Sequence, residues 1–395
     1  MGSKLYINGF GISCPLGDHR FGVTQKLISG DTNALQPSGA LNSGRSTYIA
    51  RVQYPLPKLP LSLTDYNCRN TQLLMHSYLQ VQETIDEMKS LFGKARIGVV
   101  LGSSTAGIAE GERLIDSLSN DHPFPKEYRY LQQELGSVSD FLSKLADVDG
   151  PVYTVSTACS SSGKVFASAS RLISSGVCDA VIVGGADSLC GLTLNGFDAL
   201  ESLSPDRCQP FSLNRQGINI GEGSALFVVS SEPADIAILG VGESSDGYHI
   251  SAPEPSGKGA ERAIRAALND AELSPNDIGY LNLHGTATPK NDEMESEVVH
   301  RIFGNKIPCS STKAMIGHTL GAAGAIELAF CCLLLKLTGK QAGLLPPHIW
   351  DGIKDPDLKG IHLATPDDSL RAPICMSNNF AFGGSNVSII VGKVK

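Results

Sequence analysis

The stretch from Val152 to Ile173 constrains the fold of this chain more than any other. Val152-Tyr153-Thr154-Val155 is apolar and β-branched with no helical period. A run of small residues follows, Ser156-Thr157-Ala158-Cys159-Ser160-Ser161-Ser162-Gly163, and then a segment rich in Ala and Ser from Lys164 to Ile173. That order predicts a strand, a sharp turn and a helix. Cys159 falls in the turn, where free backbone N–H groups and the positive end of the helix dipole favour a thiolate over a thiol. A nucleophile is the natural inference, because small neighbours on both sides leave room for a substrate. The competing reading is a small buried cysteine packed under a helix, which most of the 10 cysteines must be.

Around this stretch the chain alternates strands and helices. Strands are expected at 4–12, 97–101, 180–185 and 225–230, and helices at 19–29 and 70–88. Residues 31–64 read as an irregular surface excursion and 110–150 as mixed and partly helical. Gly102-Ser103-Ser104-Thr105-Ala106-Gly107 lacks the lysine of a P-loop and the spacing of a dinucleotide site, so a turn between packed elements is expected there and no cofactor. Gly184-Gly185-Ala186-Asp187 needs flexible backbone, beside a site or for tight packing. The glycines from Gly217 to Gly223 indicate close backbone approach. From about Asp235 the pattern begins again, with strands at 236–242, 278–283 and 306–310 and helices at 258–270 and 292–303. Such alternation points to parallel sheets covered on both faces. Residues 1–234 then form a half carrying the nucleophile, and residues 235–395 a second half fused to it without a linker.

Composition narrows the classes of function. With 395 residues, 42% of them hydrophobic, and 42 Gly, a large α/β core is affordable. No run approaches a membrane span, and Met1 to Ile7 lacks the apolar core of a signal peptide and reads as the start of a strand, so a cytoplasmic protein with no membrane insertion is expected. The cysteines show no paired metal spacing, which argues for free thiols and no metal. A net charge of -8 argues against nucleic acid as a bulk electrostatic partner.

The second half supplies partners for the thiol. His284 in Leu281-Asn282-Leu283-His284-Gly285-Thr286-Ala287-Thr288-Pro289 stands at the end of a buried strand, where open α/β sheets hold their ligands. His318 in Gly317-His318-Thr319-Leu320-Gly321 stands in a turn of small residues before a long apolar helix. One histidine is commonly structural; two at comparable strand ends with a cysteine at a third make a site. Ser377 to Asn386 is a turn between strands whose glycines free backbone N–H groups for an oxyanion hole.

Taken in order, Thr157-Ala158-Cys159-Ser160, His284-Gly285-Thr286, Lys313 with Gly317-His318, Glu327 and Phe382-Gly383-Gly384 resemble the elongating β-ketoacyl-acyl carrier protein synthases of fatty-acid and polyketide assembly. The match of order and spacing runs over nearly the whole chain. It implies the thiolase fold, two fused pseudo-repeated α/β halves in a five-layer αβαβα arrangement, normally dimeric. Within that family the chain is similar to aryl polyene ketosynthases through Arg69-Asn70-Thr71-Gln72-Leu73-Leu74, Gln132-Gln133-Glu134-Leu135-Gly136 and Gly242-Glu243-Ser244-Ser245-Asp246. A general fatty-acid elongating synthase is the nearest alternative.

The resemblance also assigns roles. Cys159 would carry the acyl chain, and His284 and His318 would donate hydrogen bonds to the enolate formed when malonyl-carrier protein loses CO2. The backbone N–H groups of Cys159 and Phe382 would hold the tetrahedral oxyanion, Lys313 and Glu327 would pair to fix the His318 loop, and Thr286 and Thr288 would bond the phosphopantetheine arm. Ala109, Phe380 and Phe382 would line or gate the acyl pocket, the small Ala109 leaving a deep tunnel. No metal or nucleotide cofactor is implied. The expected partners are an acyl carrier protein and either a second copy or a chain-length-factor subunit, docked on a flat interface around the strand Ala180 to Gly185. Two positions depart from the family pattern: Ala381 replaces a glycine of the C-terminal loop, and Gln209 replaces an arginine that bears on carrier docking. A thiolase or initiating enzyme would not use two histidines in these contexts, a silent chain-length partner would lack Cys159, and a cysteine peptidase would need one histidine only.

Overall fold

A computed structural model describes residues 5–120, 123, 126 and 128–394, so the expectation for Met1 to Lys4 falls outside the described residues. The first half runs β1 (Leu5–Ser13), α1 (Arg20–Ser29), β2 (Leu35–Ser38), β3 (Thr47–Ala50), α2 (Arg69–Leu79), α3 (Gln82–Phe92), β4 (Ile97–Gly102) and α4 (Ile108–Ser119). It continues with α5 (Ser137–Ala146), β5 (Val152–Val155), α6 (Ser161–Ser174), β6 (Ala180–Asp187), α7 (Gly191–Ala199), β7 (Ile220–Gly221) and β8 (Gly223–Ser230). The second half runs β9 (Ile236–Ser245), α8 (Lys258–Asp270), β10 (Tyr280–Asn282), α9 (Pro289–Phe303), β11 (Cys309–Ser310), α10 (Lys313–Ile316), α11 (Ala323–Leu335), β12 (Ile374–Phe380) and β13 (Ser385–Lys393).

Strand pairing displays the duplication. The large sheet has the order β11-β10-β12-β13-β9-β1-β8-β6-β4-β5. In the first half β1 pairs with β8 and β8 with β6 antiparallel, whereas β6–β4 and β4–β5 are parallel. The second half repeats this pattern: β9–β13 and β13–β12 antiparallel, β12–β10 and β10–β11 parallel. The seam between the halves is short, Leu5 to Ile7 of β1 against Ile236 to Ile238 of β9. The sheets are therefore mixed rather than parallel: β13 returns from β12 by a short turn that only an antiparallel pair permits, whereas β8 reaches its antiparallel place between β6 and β1 after the longer excursion through α7 and β7.

Burial follows these layers. In β8 the side chains of Phe227 and Val229 pack with Val165 and Phe166 of α6 and Ile326 and Phe330 of α11, whereas Leu226 and Val228 face Leu74 of α2 and Phe141 of α5. Alternate residues thus bury both faces of one strand. In the second half Ile389 of β13 faces the central helices and Ile390 faces Ile264 of α8 and Val298 of α9. The five layers are those of the thiolase fold. All residues of α11 are buried, so this helix is apolar on every side, as a central layer requires.

Several expectations needed correction. The helix at 70–88 is two helices, broken where the side chain of Gln80 turns to donate to Ile12 O at 2.7 Å and accept from Ile12 N–H at 3.2 Å. The excursion at 31–64 contains the β2–β3 hairpin, whose second strand pairs with β7. The strands at 278–283 and 306–310 are shorter than expected, which frees Leu283 to Thr288 as a loop. The interface expected at 180–185 is also misplaced: β6 lies between β4 and β8 and is buried along its length. The edge of the sheet on that side is β5, beyond β4, where Val152 and Tyr153 are 38% and 39% exposed.

Candidate active site

Three loops meet at one end of the central helices. Cys159 sits just before α6, held in a sharp turn by Ala158 at a φ of 51°, and Ser160 and Ser161 return bonds to Thr157 and Ala158. The turn needs a positive φ at a non-glycine residue, a sparsely populated conformation that functional sites commonly retain. His318 Nε2 lies 3.0 Å from Cys159 Sγ. The rings of His284 and His318 stand edge to face with centroids 5.4 Å apart. All three side chains are buried, with exposures of 5%, 2% and 2% for Cys159, His284 and His318.

Protonation follows from surroundings. Burial, and secondarily the Lys313 ammonium, hold both imidazoles well below the ordinary histidine range, so both rings are neutral near pH 7. The Leu320 N–H bonds His318 Nδ1 at 3.3 Å, which assigns that nitrogen as acceptor and puts the ring proton on Nε2, facing the sulfur. Burial pushes the Cys159 thiol up to about 12, against Lys313 and the Phe382 N–H, which lower it. Burial thus opposes the expected thiolate and favours a resting thiol, outweighing Lys313 and the Phe382 N–H.

Behind this front lies a buried charged layer. Lys313 Nζ bonds Glu327 Oε1 at 2.5 Å and also the carbonyl of His284, with both ionic side chains 1% exposed. Glu327 Oε2 accepts from Asn379 of β12 at 2.7 Å. The pair therefore ties the His284 strand end, α10, α11 and β12 together; it braces His284 directly, rather than the His318 loop alone. Sequence reasoning did not single out a second set on α9. Glu295 accepts from the N–H groups of His284 and Gly285 at 2.8 and 2.7 Å, and Asp292 from those of Phe211 and Ala287 at 2.7 and 3.2 Å. Burial raises Asp292 to about 6 and Glu295 to about 7. The available signal was their spacing of one turn on the first face of a helix beginning Thr288-Pro289, directly after the His284 loop.

These groups face a cavity of about 300 Å³ lined by Cys159, His284, His318, Thr286, Thr288 and Phe382, with Phe380 and Phe197 among its apolar walls. The chain turns between Thr286 and Thr288, with Ala287 at a φ of 65°, and their hydroxyls bond each other at 2.9 Å. The ring of Phe380 stands edge-on to His284 with centroids 6.1 Å apart. Gly383 and Gly384 turn the loop at φ of 82° and 75°, and Gly383 N–H bonds Ile250 O at 2.8 Å. Of the three residues expected to line or gate the acyl pocket, Phe380 and Phe382 line the cavity and Ala109 does not. It lies in the first turn of α4, half-buried, and is not among the described residues that line the cavity. Cys159, His284 and His318 bring their Sγ and ring nitrogens within 4.8 Å of one another, a set that could also take a metal ion.

The site is a cysteine at a helix N-terminus facing two neutral imidazoles, built across two α/β halves of thiolase topology. Residues 72–234 match the beta-ketoacyl synthase N-terminal domain and residues 236–349 the C-terminal domain of that family. Nodulation protein E of Rhizobium meliloti (strain 1021) is 37% identical, with 100% of both chains covered. The 3-oxoacyl-[acyl-carrier-protein] synthase 2 of Coxiella burnetii is 30% identical, with 99% of both covered. A chain of the complex between the ketosynthase ApeO and its chain length factor ApeC from Xenorhabdus doucetiae is 45% identical, with a TM-score of 0.95 over 99% of this chain and 98% of that one. The chain belongs to the β-ketoacyl synthase family.

Proposed function

We propose that this protein is a β-ketoacyl-acyl carrier protein synthase that elongates a carrier-bound acyl chain, in an aryl polyene or related pathway. The observation that carries the reading is His318 Nε2 at 3.0 Å from Cys159 Sγ, with His284 on the same cavity floor. In the first half-reaction the Cys159 sulfur attacks the acyl thioester, the carbon–sulfur bond to pantetheine breaks, and the proton of the cysteine leaves on the pantetheine thiol. Malonyl thioester then loses CO2; the enolate carbon attacks the acyl carbonyl, and the cysteine departs as thiolate and takes up a proton. Neutral ring N–H groups of His284 and His318 suit the enolate oxygen, because donors in a water-poor pocket stabilise charge as it forms. The N–H groups of Cys159 and Phe382 suit the tetrahedral oxyanion, and Thr286 and Thr288 the amides of the phosphopantetheine arm. Phe380 would wall the acyl pocket and Phe382 gate it.

An acyl carrier protein is the partner this chemistry requires. A second subunit, of this chain or a chain length factor, fits the free edge of β5, which presents unpaired backbone groups and the exposed Val152 and Tyr153. The ApeO–ApeC likeness supports the heterodimer and the aryl polyene assignment. Mass spectrometry of the intact protein after incubation with an acyl carrier thioester is the test. An adduct on Cys159, absent in Cys159→Ala, is expected; no adduct, or one on another cysteine, would sink the reading in favour of a silent chain-length partner.

A further inference from the structure

Behind the His318 loop lies a carboxylate that the chemistry above does not use. Asp187, the last residue of β6, is 0% exposed. Its Oδ1 accepts from Ser103 Oγ at 2.7 Å, Ser104 N–H at 2.8 Å, and the N–H and hydroxyl of Thr105, each at 2.9 Å. Its Oδ2 accepts from the Ser104 hydroxyl and, at 2.6 Å, from the N–H of Gly321. None of these partners is a Lys or Arg, so the carboxylate is held by dipoles alone, as buried charges can be when every lone pair is used. Burial raises the Asp187 carboxyl above the ordinary carboxylate range while these donors pull it back down, and the loop Gly102 to Gly107 is the cradle that supplies them.

Gly321 links this carboxylate to the site. Two other bonds of the loop, His318 N–H to Asn219 O at 2.6 Å and Gly221 N–H to His318 O at 2.9 Å, fix the main chain of His318 but not its ring. The ring is set by the Leu320 N–H on Nδ1, and Leu320 is at a φ of 51°, a strained turn that needs an anchor on its far side. That anchor is the Gly321 N–H, which bonds Asp187 Oδ2 at 2.6 Å and, more weakly, the Ser104 hydroxyl at 3.2 Å. The approach is close: a methyl group on Gly321 would lie 2.7 Å from Asp187 Oδ2 and 2.9 Å from Ser104 N.

We propose that Asp187 is a positioning residue for condensation, which by holding the Gly321 N–H orients the ring of His318 so that Nε2–H faces Cys159 Sγ. The inference rests on the roles given above to Cys159 and His318. Asp187→Asn keeps the shape but sets an N–H donor where only donors approach. In the folded variant kcat should fall about tenfold or more while KM for malonyl-carrier protein changes less than about twofold. The rate of Cys159 alkylation by iodoacetamide at neutral pH should fall as well, because Nε2–H no longer supports the thiolate. A merely structural role would instead lower the melting temperature and scale activity with the folded fraction, leaving alkylation per folded molecule unchanged. Gly321→Ala should reproduce the Asn phenotype from the other side of the contact, and Asp187→Glu should restore part of the alkylation rate. Should Asp187→Asn fail to fold, Ser104→Ala, which removes a hydroxyl that both donates to Asp187 Oδ2 and accepts weakly from the Gly321 N–H, carries the same test with a loss of about threefold. A folded Asp187→Asn protein with wild-type kcat and alkylation overturns the proposal. If the wild-type protein shows no condensation while alkylation still responds to Asp187, the functional reading fails and the positioning role stands.

Discussion

At the scale of the residue, the resting state is a neutral thiol beside neutral imidazoles, and this has a measurable sign. With the thiol pushed up to about 12, the thiolate fraction grows about tenfold for each unit of pH across the neutral range. Alkylation of Cys159 should therefore rise steadily from about pH 7 to about pH 9. A plateau beginning near pH 6 to 7 would reveal a preformed thiolate–imidazolium pair instead. The Lys313–Glu327 pair makes a second prediction. Removing either partner alone strands a charge at 1% exposure, so Glu327→Ala should cost about 3 to 5 kcal/mol in denaturant unfolding. The double variant Lys313→Met with Glu327→Leu should recover most of that loss; a double variant as unstable as the single one would show that the pair holds the fold by more than its charge. The residues carrying the chemistry were legible because Cys159, His284 and His318 each stand in a turn of small residues. Asp187, Asp292 and Glu295 were not, because an acid that caps main-chain N–H groups is written like one on a solvated surface. Ala109 stands in the first turn of α4 rather than in a loop, outside the lining of the cavity at Cys159, because a Gly-Ser run before it reads as loop further than the chain stays one.

At the scale of the element, α6 and α11 are equivalent helices, preceded by Cys159 and His318 respectively, and they meet near their N-termini. A methyl on Gly324 would lie 2.6 Å from Gly163 N, so the crossing is backbone against backbone. Gly324→Ala should push the helices apart, costing about 1 to 3 kcal/mol and separating the cysteine from the histidine. Denaturant unfolding and Cys159 acylation measured together check this, and a variant unchanged in both would mean that the crossing can relax at no cost. Periodicity found most helices and strands in place. It ran α2 and α3 together because the apolar period continues through Gln80, whose side chain breaks the helix to bond β1. It could not tell parallel from antiparallel pairing, since strands buried on both faces read alike in either case.

At the scale of the whole molecule, the sheet has a free edge at β5, so association should depend on that strand. Tyr153→Lys, placed on an edge position that tolerates charge in a monomer, should leave the fold intact and abolish dimer formation, whether with a second copy or a chain length factor. Light scattering after size exclusion reads the mass directly, and an undiminished dimer would place the interface elsewhere. The short seam between β1 and β9 has a further consequence. His318 follows Cys159 by 159 residues, and Phe382 comes later still. A ribosome emits the cysteine half first, and the five strands it gives to the large sheet can pair among themselves before the histidines exist as folded structure. The nucleophile is thus made before the groups that face it, and the cavity that Cys159 shares with His284, His318 and Phe382 is complete only when β9 has zipped against β1 and the last strands are laid in.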